Sequence, residues 1–452
     1  MKSYIKTVLI IVPLFLSGNI FAQKQWKLED CIGYALQNNI TIKRQALQTE
    51  IADNNLTQSK IDLLPDLNAG GNHTFGSGNI LDNSYQFTNS LNNGSFGLQS
   101  NFMLFNGFQK INTVKMNKYN FMSTVQNLEK IKNDISINIA SGYLQILYTK
   151  ELRDVANSEL EVTKMQVEKT KKLFEVGNVA KGSLFEIQAT AATEEASLTD
   201  AQNNLNLAYL SLAQMLDLDT VKNFTVFIPE EISVPEAFSD NPDSIYRIAL
   251  SNLPQIKSAE FSLLVAKSQL SIANGSRSPQ LSLSASYSTR YDFNGKKYIY
   301  NAKDSLIAEL PYPIKNQLND NLFKQVAINL SIPIFTKYQI QKNISNAKIG
   351  VKDAEFALRQ NQLQLRKDIE QAYANALASF QNYKTRSEEV TSTGENFKYV
   401  QQKFDVGLVN SVDYNVAKKD FVKAQSDLLY AKYDFIFKTK ILEFYKGNAI
   451  KL

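Results

Sequence analysis

Along Gly107 to Phe174, apolar side chains fall three, four and seven positions apart, at Phe121, Val125, Leu128, Ile135 and Ile139, with Lys132 interrupting. The intervening positions are mostly Asn, Lys, Gln, Ser and Glu. Such spacing predicts a helix with one heptad-like apolar seam, packed on one side and wet on the other. A second run of equal length, Lys337 to Phe404, repeats the design. Both span 68 positions without a proline, and both run into a Phe-x-Val-Gly tetrad ending at Gly177 and Gly407. At about 1.5 Å of rise per residue, each helix would reach roughly 100 Å, too long for the inside of a compact domain.

The rest of the chain is duplicated as well. At an offset of 214, Ala35-Leu36-Gln37-Asn38 falls on Ala249-Leu250-Ser251-Asn252 and Pro65-Asp66-Leu67 on Pro279-Gln280-Leu281. At an offset of 230, Phe105 falls on Phe335, Tyr143 on Tyr373, Phe174 on Phe404 and Gly177 on Gly407. The larger offset means that the second copy carries sixteen extra residues between Leu281 and Phe335 (230 − 214 = 16). Each copy opens with a helix that a proline closes, read here as Leu28 to Leu64 and as Asp243 to Gly275.

After each proline the period changes to two. Leu67, Ala69, Gly71, His73 and Phe75 alternate with polar residues, as do Phe96, Leu98, Ser100, Phe102 and Leu104. In the second copy Leu281, Leu283, Ala285 and Tyr287 pair with Val326, Ile328, Leu330, Ile332 and Ile334. The predicted strands are 66–75, 95–105, 280–291 and 323–335. Gly76 to Asn93 and Asp292 to Asn321 read as surface loops. Return helices follow the Val-Gly turns, Leu184 to Leu216 and Tyr414 to Tyr445, with Leu198, Leu205, Leu212 and Leu428, Phe435, Leu442 one heptad apart. They are expected to lie back along the rods. Tyr143 and Tyr373 occupy equivalent mid-rod positions, at helix contacts in preference to a tunnel lining.

The domain reading is thus a leader over 1–22, a first repeat over 23–216, an irregular proline-rich strap over 217–242, a second repeat over 243–446 and a tail over 447–452. Lys2 and Lys6, the apolar Val8 to Leu16 and the small Ala22 form an export leader, cleaved to leave Gln23 first. The remaining sequence has no apolar run long enough for a membrane helix, so a membrane span must use strands. Strands of about ten residues suffice for a tilted crossing. Four strands cannot close a barrel, so either the sheet is open or several chains share one.

Composition narrows the chemistry. With 44% hydrophobic and 21% charged residues the chain is globular in make-up. Its formal charge of +5 (49 − 44) falls to +3 without Lys2 and Lys6, too small and dispersed for nucleic acid. One cysteine, Cys31, and one histidine, His73, build neither a disulfide framework nor a metal cluster within a chain. Cys31 is expected on the buried face of the first helix and His73 as an ordinary strand residue. No cofactor is called for. No G-x-S-x-G, P-loop or dinucleotide fingerprint is present, so an enzyme is not expected.

The order of parts, duplicated at matched spacing, resembles the TolC-like outer-membrane efflux proteins over the whole mature chain. Leu104-Phe105-Asn106-Gly107 after a strand and Phe404-Asp-Val-Gly-Leu-Val-Asn-Ser-Val-Asp413 at the far end carry the resemblance. It implies a mainly α fold with membrane β: a trimeric, 12-stranded outer-membrane β-barrel continuous with a periplasmic α-helical barrel. The implied function is a passive exit duct, fed by an inner-membrane pump of RND or ABC type through a periplasmic adaptor, with the barrel in outer-membrane lipid. Val176, Gly177, Val406, Gly407 and Leu408 are the expected adaptor contacts. Asp413 is the candidate entrance constriction, where three copies would form a negative ring. Family members often carry a second acid three residues on; Val416 stands there, and Ser183 occupies the first-copy position. Asp405 and Glu175 are alternative sources of charge. The competing reading is a scaffold or adhesin of coiled coils without a pore, which leaves the alternating strands unexplained.

Overall fold

The computed structural model describes residues 25–451 apart from 82–86, 221, 223, 230–231, 233, 235–240 and 303–304; the expected leader lies outside them. The first repeat runs β1 (Gln25–Trp26), α1 (Leu28–Asn38), α2 (Ile40–Ile61), β2 (Asn68–Leu81), β3 (Phe87–Phe105), α3 (Gln109–Glu175) and α4 (Lys181–Met215). After β4 (Thr225–Val226) the second repeat runs α5 (Pro242–Asn252), α6 (Pro254–Gly275), β5 (Gln280–Asp292), β6 (Lys296–Tyr300), β7 (Leu306–Pro311), α7 (Ile314–Asp320), β8 (Phe323–Ser331), α8 (Gln339–Asp405) and α9 (Ser411–Tyr445).

Where the sequence predicts one opening helix per copy, the chain makes two. Asn39 leaves the helical region at ψ 128° and caps the next helix, accepting from the N–H groups of Thr41 (2.9 Å) and Ile42 (3.3 Å). In the second copy Pro254 does the same work: the residue before a proline avoids the α region, and Leu253 sits at ψ 132°. The broken-off helices α1 and α5 turn aside to cover the middle of the rods.

The strands differ at their ends. Ladder pairs Gly76↔Leu91 and Ser77↔Ser90 carry the first hairpin through most of the predicted loop. Its Gly, Asn and Ser hide the strand because backbone pairing needs no apolar alternation where both faces meet water. The second predicted loop holds the β6–β7 hairpin and α7. Gln317 is buried there, donating to the Asp292 and Tyr312 carbonyls (2.8 and 2.6 Å) and accepting from the Asp292 N–H (2.7 Å). β8 stops at Ser331, short of the predicted 335, since Pro333 has no N–H for a ladder.

The central sheet has the order β2-β3-β5-β8, all antiparallel. Each strand continues into one helix: α2 leads into β2, β3 into α3, α6 into β5 and β8 into α8. The helices pack in the same order, α2 on α3, α3 on α6, α6 on α8. The result is one curved wall, four strands above four rods. α3 and α8 each have 67 residues, hence about 100 Å.

Two apolar cores girdle the rods. One joins Leu28, Cys31 and Ala35 of α1 to Tyr143, Ile146 and Leu147 of α3, Leu205 and Leu212 of α4, and Ile436 of α9. Cys31 is fully buried there, its thiol pushed up to about 12 by burial. Tyr143 packs in this core, not in an open channel, and its hydroxyl donates to the Phe227 carbonyl, with Trp26 O at 3.3 Å. These bonds pin β1 and β4, the short parallel pair within the strap, against the rod. The second core joins Ile245 and Ala249 of α5 to Leu365, Ile369 and Ala376 of α8, with Tyr373 packed against it.

The expectation of one apolar seam on the first rod needs correction. α3 has neighbours on both sides, and its α6 seam is partly polar: Ser123 Oγ lies 2.9 Å from Ser258 Oγ and 3.2 Å from Ser262 Oγ, with Ser123 and Ser258 both buried. Small hydroxyls let two backbones approach while satisfying one another.

Candidate functional site

The far ends of the rods carry two matched turns. At the first, the Asn178 N–H donates to the Leu173 carbonyl (2.8 Å) and the Gly177 N–H to the Phe174 carbonyl (2.9 Å). At the second, Leu408 donates to Lys403 (2.8 Å) and Gly407 to Phe404 (3.0 Å). Both are Schellman closures, which need a left-handed residue after the helix. Gly177 and Gly407 supply it at φ 81° and 77°. Around them the surface is apolar and open: Val176 is 71% exposed, Val406 70% and Leu408 74%.

The turns restart differently. Asn410 caps α9, its side chain accepting from the Asp413 N–H at 2.8 Å, whereas Ala180 in the first copy offers no such side chain. Asp413 lies exposed in the first turn of α9, where the helix dipole favours an anion. Of the alternative charges, Asp405 is paired to Lys169 at 2.7 Å, which leaves it a poor source of negative field. That pair and the bond from Ser411 to Glu186 tie the two helical hairpins together near their tips.

Farther from the tip lies a cluster that the sequence reading missed. Lys418 of α9 has a side chain only 6% exposed and sits 2.8 Å from Glu194 of α4 and 3.2 Å from Glu159 of α3. It also donates to Thr163 Oγ1. Burial raises the Glu159 carboxyl above its ordinary range, Lys418 opposes the rise, and Glu194 adds to it. Glu194 Oε2 and Asn415 Oδ1 are buried without a hydrogen-bond partner among the described residues. The cluster borders a cleft of about 1070 Å³ between α3, α4 and α9. The available signal was a lysine four positions after Tyr414, on the face that continues to Ala424 and Ala431.

At the other end, the ladder registers sort the sheet into two faces. Ala69, Gly71 and His73 share a face with Phe96 and Leu98, with Leu283, Tyr287 and Tyr291, and with Val326, Ile328 and Leu330. The opposite face presents Asn72, Gln99, Asn101, Ser282, Ser284, Ser286, Gln325 and Asn329. One side is thus apolar and the other uncharged polar, the division between lipid and water in a membrane barrel. Aromatic groups mark both ends of the apolar side. His73 Nδ1 lies 3.0 Å from the Tyr291 hydroxyl, and Phe96 and Phe293 pack on the Tyr291 ring. At the helix end Phe105 and Phe108 stack edge-on at 5.4 Å, Phe105 being turned to this face by a ladder irregularity at Leu104. From Leu281 to Tyr291, ten steps of about 3.3 Å at a tilt of about 40° rise about 25 Å, the height of a lipid-facing band.

No helix among the described residues is long and apolar enough to cross a membrane. The sequence profile of the outer membrane efflux proteins matches residues 31–217 and 245–437. The chain is 20% identical over 434 residues to the outer membrane efflux protein BepC of Brucella suis biovar 1, covering 95% of this chain and 87% of that protein. It is 22% identical over 430 residues to the outer membrane protein TolC of Vibrio cholerae, covering 94% and 92%. Among solved structures, the outer membrane protein VceC of Vibrio cholerae superposes with a TM-score of 0.75 at 16% identity, covering 94% of this chain and 96% of that one. The CmeC outer membrane channel of Campylobacter jejuni gives 0.73 at 17% identity, covering 94% and 86%. Both halves of the duplicated wall are matched in order, and the chain therefore belongs to the outer membrane efflux protein family, residing in the outer membrane with its helical part in the periplasm.

Proposed function

We propose that three copies of this chain close into the exit duct of a tripartite efflux pump, passing substrate from an inner-membrane transporter and its periplasmic adaptor to the cell exterior. The carrying observation is the open wall. β2 and β8 are the two edges of the sheet, and α2 and α8 are the matching edges of the rods. A sheet edge in a membrane leaves backbone groups unpaired, so the wall must be continued by another copy. Three times four strands gives the twelve-stranded barrel, and the uncharged polar face then lines its lumen.

Outer-membrane fractionation with a heat-modifiable trimer on gels, and large conductance in planar bilayers, test this reading. A chain extracted without detergent as a monomer would instead support the poreless scaffold.

The exposed apolar tips suit contact with the adaptor. Leu408→Asp and Val406→Asp are expected to weaken adaptor capture by about 10–100-fold, as for central contacts of an interface, with trimer yield unchanged. Full export by both variants would remove the tips from the contact. Asp413, exposed at the mouth of the second tip, supplies the negative ring. Asp413→Asn is expected to lower cation preference and divalent block in single-channel recordings; unchanged reversal potentials and block would end the gate assignment.

A further inference from the structure

The apolar face of the sheet carries a cation at its exterior end. Lys324 is the second residue of β8, at the end away from the rods, in register with Tyr287 and on the same face as Val326, Ile328 and Leu330. It is exposed, and its Nζ lies 5.7 Å from the centre of the Tyr287 ring. None of the ion pairs among the described residues involves it. A lysine on a lipid-facing strand is unfavourable unless its ammonium reaches the interface and finds an anion there.

Next to it the surface is hollow. Ala69, Gly71, Phe96, Leu98 and Tyr287 line an apolar trough of about 510 Å³. Glycine makes the hollow possible, because the Phe96 ring lies where a side chain at position 71 would go: a Cβ there would meet Phe96 Cδ1 at 2.7 Å. An apolar trough with a cation beside it matches one kind of molecule, an acyl chain joined to a phosphate. We propose that this face holds a phosphate-bearing lipid of the outer leaflet, its headgroup on Lys324 against Tyr287 and one acyl chain in the trough. The inference rests on the closed barrel proposed above, which places this face in lipid.

The test is native mass spectrometry of the whole protein in mild detergent, titrated with lipid A, with dephosphorylated lipid A and with phosphatidylcholine. Lipid A should be retained in preference to both others, and retention should fall about tenfold in Lys324→Gln, the loss expected for one charge-assisted contact. Lys324→Arg should keep it, as should Lys315→Gln on the exposed surface of α7. Ala69→Phe, which fills the trough, should lower retention of lipid A. Equal retention by the parent and Lys324→Gln, or equal retention of phosphorylated and dephosphorylated lipid A, overturns the site. Displacement of bound lipid by inorganic phosphate alone assigns the cation to a free anion and overturns the lipid assignment. A protein that runs as a monomer yet shows Lys324-dependent retention supports the site and sinks the trimer instead.

Discussion

Lys418→Met is expected to destabilise the folded chain by about 3–5 kcal/mol near pH 8, the usual loss when one partner leaves a buried ion pair, and to regain much of that near pH 5. The variant leaves Glu159 and Glu194, 16% and 20% exposed, facing one another with no cation between them. Burial already holds the Glu159 carboxyl above its ordinary value of 4.5 while the lysine opposes it. A carboxyl raised in this way binds its proton more tightly in the fold than in the unfolded chain. Its contribution is therefore complete below the ordinary carboxylate range and is lost as pH rises through the raised value. Without Lys418 that value climbs further, so the deficit grows with pH. Thermal melting in detergent between about pH 5 and pH 8 reads it; an equal loss at both ends would mean that the lysine acts through packing alone. Glu159→Gln should stay within about 1 kcal/mol of the parent near pH 8, because the amide removes a buried charge while Lys418 keeps Glu194.

Gly107→Ala should cost about 3 kcal/mol or more, and Gly407→Ala only about 1 kcal/mol, although both residues have positive φ. Gly107 stands at φ 65° where β3 turns into α3, and Gly407 at φ 77° in the tip. The difference is space. A Cβ on Gly107 would run into the Gly275 carbonyl oxygen and meet Ser278 Cβ at 2.7 Å, whereas Gly407 has nothing within 4 Å. In the second copy Lys337 and Tyr338 adopt φ 48° and 67°, so the left-handed turn alone does not demand glycine at this junction. Glycine is needed where α3 meets the end of α6 within one chain. Urea unfolding and the yield of heat-modifiable oligomer compare the variants; a larger loss from Gly407→Ala would refute the crowding argument.

Much of the wall was legible because its rules are local. Period two in Leu281, Leu283, Ala285 and Tyr287 and the Phe-x-Val-Gly endings are statements about neighbours along the chain. The breaks at Asn39 and Leu253 were legible in principle, from an asparagine cap and a Pro254, but the helical period on both sides hid them. The extended hairpin through Gly76 and Ser77 and the buried Gln317 were not, since backbone pairing and a buried amide leave no periodic trace.

The sequence by itself determined the kind of protein: rods about 100 Å long, strands that alternate, a duplication that repeats both, and tips closed by Val-Gly. These follow from helix rise, strand pleat and the left-handed freedom of glycine, each set by a few adjacent residues. Only the tertiary structure decided which side of the sheet is apolar throughout, that the four strands and four rods share one order, and that Lys418 lies between two carboxylates. Those depend on register and packing between residues far apart in the chain, such as Glu159 and Lys418, and no local pattern encodes such a distance.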